Sequence, residues 1–236
     1  MHNPLSKKQK LYRNLEACCP VAFDDIREIQ RQRRWNRGLG PVDQFEAPDL
    51  AKINQEQTTH HPYLEIAPGA VRLGAEKAVI IGMHWLQAGG AERWAVETVR
   101  LVREAGMLPI VITDRPSHQP WIDRPEFKDA LVLCLTFPIQ ERPGDEPLLR
   151  SLVEQFDIRG VLVHHCQWLY DRLWWIKKYR PNAIVVDSLH IVEYPYGGGY
   201  PNQAVSRDAF IDLHHVISPQ LVSWLVDSHG LMLIRL

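Results

Sequence analysis

The sequence predicts an α/β fold: a doubly wound, mostly parallel Rossmann-like sheet with a partly helical N-terminal extension. Three observations carry this. Short apolar runs alternate with amphipathic segments from Lys77 onward, the signature of βαβ units. The runs are continuously apolar, as strands covered on both faces require. The first run, Ala78–Gly82, leads through Gly89-Gly90 into a helix. By that arrangement α/β proteins bring backbone N–H groups against a phosphate.

Residues 1–75 read as a polar, Arg-rich extension. Lys7–Glu16 and Phe23–Trp35 have helical character, and Arg27, Arg31, Arg33, Arg34 and Arg37 crowd the second. That cluster reads either as a solvated helix face or as a contact for anionic lipid or a partner. Pro41, Pro48, Pro62 and Pro68 break the stretch that follows.

From residue 76 to 230 the pattern is regular. The first helix, Ala91–Ala105, places Trp94, Ala95, Thr98, Val99, Val102 and Ala105 on one face, and Gly106 suits its stop. Strand two is Pro109–Thr113 and strand three Ala130–Leu135. Leu148–Phe156 is helical, Arg159–Val163 is strand four, and Trp168–Tyr179 is a helix ended before Pro181. Its aromatic residues beside Arg172, Lys177 and Lys178 suit either core packing or a lipid headgroup layer. Ala183–Asp187 is strand five, Ala204–Leu213 a helix and His214–Ile217 strand six. Ser218 then caps a helix with Pro219 at its first position.

In a doubly wound sheet, ligands sit outside the carboxyl ends of the strands, near the point where strand order reverses. The residues directly after strands are His84 with Gly89 and Gly90, then Asp114, then His164 and His165, then Ser188 and His190, then Ser218. Much of the chain's histidine thus lands on one rim. Gly89 and Gly90 allow close backbone approach, or form a plain turn. Glu92 lies in the first helical turn, where its charge favours the helix dipole. His190 is placed to bond a hydroxyl or move a proton, or else is structural. His164 and His165 are adjacent and so point apart in extended chain, which argues against zinc. The loop is neither G-x-G-x-x-G nor a P-loop.

Composition bounds the rest. With 236 residues and 45% hydrophobic content the chain is long enough for one domain plus an extension. A net charge of −1 gives no case for nucleic acid. Cys18, Cys19, Cys134 and Cys166 form no legible disulfide framework, which fits a cytoplasmic protein. No apolar run reaches membrane-spanning length, so any membrane contact is expected to be peripheral, at the inner face.

The segment AVIIGMHWLQAGGAERWAVETVRLVREAGMLPIVITD resembles the opening of GT-B-fold glycosyltransferases, especially glycosyltransferase family 4, where the loop and helix often read GGAER. GVLVHHCQWLYDRLWWIKKYRPNAIVVDSLH is similar to that family's strand–histidine–helix–strand–histidine run, and HHVISPQLVSWLVDSHG to the close of its first domain. The resemblance implies a Rossmann-like, acceptor-side domain over 76–230 and transfer from a nucleotide-sugar co-substrate to a glycan or lipid-linked acceptor. It implies no other cofactor and no metal, since no D-x-D-like acidic pair is present. His190 matches the loop histidine that contacts the transferred sugar. Gly89 and Gly90 would lie near the donor diphosphate and acceptor, with His84 and Glu92 beside them, and His164 and His165 on the acceptor side. The family's second domain, with its E-x7-E motif, would follow residue 230, where only the tail 231–236 remains, so the expectation is a fragment or split transferase completed by a separate donor-domain polypeptide. Two other readings stand beside it: a catalytically inactive interaction module, and another nucleotide- or phosphate-binding α/β protein.

Overall fold

The structure, a computed structural model, describes residues 69–115, 117–135, 145–193 and 198–232, with 11, 14, 18, 19, 26, 29, 42 and 44–47 of the N-terminal region. The arginine cluster at 27–37 and the tail from 233 lie outside the described residues. The chain divides into two compact units, Val42–Ile191 with Tyr200–Leu236, and Met1–Pro41 with Val192–Gly199. In the second unit Gly198 donates its N–H to the Glu193 carbonyl (3.1 Å), closing a tight antiparallel bridge.

In the first unit the elements run β1 (Lys77–Met83), α1 (Gly90–Glu104), β2 (Leu108–Thr113), β3 (Leu131–Cys134), α2 (Asp145–Gln155), β4 (Asp157–His164), α3 (Gln167–Tyr170), α4 (Leu173–Tyr179), β5 (Ile184–Leu189), α5 (Tyr200–Ser206), β6 (Leu213–Val216) and α6 (Pro219–Ser223). Short 3-10 turns cover Pro125–Phe127 and Asp208–Phe210, and one π turn covers Trp224–Ser228. The six strands form one sheet in the order β3-β2-β1-β4-β5-β6, every pair parallel. This is the Rossmann-like doubly wound arrangement, and its order reverses between β1 and β4.

Burial explains why the central strands read as continuous apolar runs. Successive side chains point to opposite faces, yet every residue of β1 from Ala78 to Met83 is buried. Both faces are therefore covered. One core cluster joins Val79, Ile81 and Met83 to Ala95, Val96, Val99 and Val102 of α1 and to Val111 and Phe127. Gly106, at φ 70°, ends α1 in the left-handed conformation that favours glycine, and Met107 N–H reaches back to Val102 O (3.2 Å). Gly82 is required by close approach: a Cβ there would meet Leu169 Cδ1 at 2.3 Å and Cys166 Cβ at 2.8 Å.

Three expectations change. The helix over Trp168–Tyr179 is two helices, because Arg172 (φ −119°, ψ 0°) leaves the helical region. The Tyr170 carbonyl, freed by the break, accepts from Arg207 Nε at 3.0 Å. Trp168, Tyr170, Trp174, Trp175 and Tyr179 are buried, so the aromatic residues serve the core and not a lipid layer. The helix expected over Ala204–Leu213 stops at Ser206, whose hydroxyl donates to Gln203 O (3.0 Å) and competes with the helical ladder. Strand five runs two residues past Asp187, to Leu189.

Part of the stretch assigned to the extension belongs to the packed unit. Phe45 donates its N–H to Ser206 O (2.9 Å) and meets Phe210 edge-on at 6.4 Å, and the Arg207 guanidinium lies 4.4 Å over its ring. Among the described residues no helix is long and apolar enough to cross a membrane.

Candidate functional site at the strand-order switch

The loop after β1 is organised by Glu92. Gly89 is extended at the start of α1, and the Glu92 side chain folds back over it, so a Cβ at 89 would meet Oε2 at 1.9 Å. Trp85 Nε1 donates to Glu92 Oε1 at 3.1 Å. His84 Nε2 lies 2.7 Å from the same oxygen but off the hydrogen-bonding line, so this contact is an ion pair when His84 is protonated. Burial pushes the Glu92 carboxyl up, but the His84 contact, its own backbone N–H and nearby histidine charge outweigh burial and hold it below the usual range. Glu92 therefore occupies part of the positive helix end itself. Gly90 is different: nothing lies within 4 Å of where its Cβ would be.

Across the switch, β4 ends in two histidines that part company. His164 is buried against α1, its Nε2 3.2 Å from Thr98 Oγ1. The Thr98 hydroxyl proton goes to Ala95 O (2.7 Å), so His164 must donate Nε2–H to Oγ1. His165 turns the other way through a left-handed backbone, φ 58°, which a non-glycine residue adopts at a cost of order 1 kcal/mol or more. Its ring stacks on Tyr200 (4.7 Å, 2° between planes), meets His190 edge-on at 5.3 Å and lies 5.6 Å from His84. His165 Nε2 has no hydrogen-bond partner among the described residues. Burial, helped by neighbouring histidines, depresses both imidazoles to about 3, so each is neutral at neutral pH.

His190 follows β5 directly and is half-buried; burial and the proximity of His215 hold its pKa below the ordinary value. Its Nε2 lies 3.3 Å from Ser188 Oγ, and that hydroxyl lies 2.9 Å from His215 Nδ1 on the neighbouring strand β6. The His215 ring stacks on Trp94 of α1 at 5.2 Å.

A second layer fixes these elements. Asp114, after β2, accepts the Trp168 N–H (2.9 Å) and so caps α3 from across the sheet, burial raising its pKa. Arg115 Nη2 donates to the Tyr200 hydroxyl at 3.2 Å. Beneath the rim, fully buried His214 bridges Asp187 Oδ1 (2.8 Å) and Asp208 Oδ1 (3.0 Å), and the Tyr170 hydroxyl donates to Asp187 Oδ2 (3.3 Å). Asp187 is thus a support of the fold.

The rim singled out by the carboxyl-edge rule gathers His84, Glu92, His165 and His190 into one chain of contacts, with Gly89 under Glu92 and Gly90 open beside it, whereas His164 faces α1. Tyr200, Arg115, His215 and Trp94 went unforeseen. Tyr200 follows a glycine loop with no periodic signal, and His215 sits in a short strand that reads only as core. Among the described residues no group of three or more His, Cys, Asp or Glu side chains is arranged to hold a metal. No model of a known protein family matches the chain, and no curated protein does.

Proposed function

We propose that this chain is the acceptor-side, Rossmann-like domain of a glycosyltransferase using a nucleotide-sugar donor, with His190 contacting the transferred sugar. One observation carries the reading: at the carboxyl edge where strand order reverses, the open first turn of α1 at Gly90 lies on the same rim as the ring cluster of His84, His165 and His190. Neutral imidazoles such as His165 trade N–H groups and lone pairs with hydroxyls and do not pair with anions. Charge complementarity for a diphosphate falls to the unpaired N–H groups at the start of α1, on the Gly90 side that Glu92 leaves free. In such an arrangement catalysis is electrostatic, with helix-terminal amides and cations of a donor-binding domain stabilising the departing diphosphate.

The test is titration of the chain with free nucleoside diphosphates and with nucleotide sugars, followed by calorimetry and amide spectra. Nucleotide sugars at millimolar concentration are expected to shift the amides of Gly89–Glu92 and the imidazoles of His165 and His190, while free nucleotides bind too weakly for calorimetry. Ordinary-affinity binding of a free nucleotide overturns the reading in favour of a self-sufficient nucleotide-binding α/β protein. Silence of the rim towards every nucleotide sugar overturns it in favour of an inactive interaction module. With a donor-binding domain supplied, His190→Ala is expected to lower sugar transfer by more than about tenfold while the domain stays folded.

A further inference from the structure

The hydrogen bonds behind His190 form a chain that crosses two strands. Ser188 and His215 are register partners in the β5–β6 ladder, so the backbone fixes the serine opposite the imidazole. Ser188 is buried, and its Oγ touches both His215 Nδ1 (2.9 Å) and His190 Nε2 (3.3 Å). Trp94 stacks on the His215 ring and holds its plane.

A serine hydroxyl has one proton to give. For both contacts to be hydrogen bonds, at least one of the two facing ring nitrogens must carry N–H. When the serine proton goes to one of two neutral rings, that ring accepts and the other donates to Oγ. When His215 is protonated, its Nδ1–H must donate to Oγ, which leaves the serine proton for His190 Nε2 to accept. His190 then carries its own proton on Nδ1.

We infer that Ser188 is a positioning residue for His190, tying the tautomer of His190 to the protonation of His215. The inference rests on the proposed role of His190 for its functional meaning. The hydrogen-bond coupling itself requires no ligand. The groups around His190 are His165 edge-on, Glu92 through its charge, His215 through the serine, and the buried His164, whose protonation His190 disfavours. Burial, with His215 nearby, holds His190 itself below the ordinary histidine value.

The experiment is nitrogen NMR of the full chain labelled with 15N-histidine, across a pH series that follows the protonation of each ring. The expected result is that His190 Nε2 moves to the unprotonated range and Nδ1 to the N–H range as His215 becomes an imidazolium. In Ser188→Ala the His190 nitrogens cease to follow His215, and in His215→Gln that step vanishes from the His190 spectrum. The inference is overturned if His190 keeps N–H on Nε2 while His215 is charged, or if folded Ser188→Ala retains the linkage. Because no sugar or nucleotide is present, failure here leaves the proposed transferase role standing, and failure of the rim to bind a nucleotide sugar leaves the tautomer linkage standing.

Discussion

At the scale of single residues, the candidate site depends on what its glycines exclude and admit. At Gly82 the Cβ space is already taken by Leu169 and by the Cβ of Cys166, which cannot swing away. Gly82→Ala is therefore expected to destabilise the protein by about 1–3 kcal/mol, read as a lower urea midpoint with an unchanged slope. Gly90 offers the opposite case, since its surroundings are open. Gly90→Val should leave stability within about 1 kcal/mol of the parent and abolish the amide shifts produced by nucleotide sugars. Equal loss of stability and binding would mean that the open turn serves the fold alone. Rim membership at this scale was legible, because the carboxyl-edge rule needs only the ends of apolar runs. The left-handed turn at His165 was not, since no sequence signal marks a histidine that must reverse between β4 and α3.

At the scale of elements, β5 and β6 are joined by more than their ladder. His214 is fully buried between Asp187 and Asp208. Burial alone would lower its pKa, but its hydrogen bonds to the two carboxylates and their charges raise it. A histidine with a raised folded pKa lends its full stability below its unfolded value, about 6.5, and loses it as pH rises through the folded value. The urea midpoint is thus expected to fall on the alkaline side of about pH 6.5, and His214→Gln should flatten that limb while lowering stability in acid. The same network explains why strand five was read as ending at Asp187. A carboxylate normally marks a strand end, and only the β5–β6 register reveals the imidazole that compensates it. The divided α3–α4 pair was hidden for a similar reason: apolar spacing continues across the break, and the Arg207 that satisfies Tyr170 O comes from a distant part of the chain. Ser218, by contrast, was legible as a cap and does accept the Leu221 N–H, so Ser218→Ala should cost about 1 kcal/mol in a denaturation series.

At the scale of the whole molecule, the alternation of strand and helix was enough to give a doubly wound sheet, because right-handed crossovers leave few other solutions. The order of the strands follows from pairings that sequence alone does not display. The molecule also carries an acid limit. His164 and His165 are held near 3 by burial and protonate near 6.5 once unfolded. Below about pH 6.5 the unfolded chain therefore binds more protons and stability falls as pH drops. Asp114 and Asp187, raised by burial, oppose this and make the limb shallower. His164→Gln is expected to move the acid unfolding midpoint downward, measured by circular dichroism across a pH series; an unmoved midpoint would assign acid sensitivity elsewhere. The β1–β4 pairing has a consequence in time. It joins Lys77 to Asp157, roughly 80 residues apart in the chain, and parallel pairings this distant pay their loop-closure entropy before any contact rewards it. The histidines after β1 and β4 are brought together by that pairing, so a nascent or partly refolded chain has its glycine turn and its histidines but no place where they meet. Competence for ligand should then arrive in one slow step, together with the last protection of the β1 and β4 amides against hydrogen exchange.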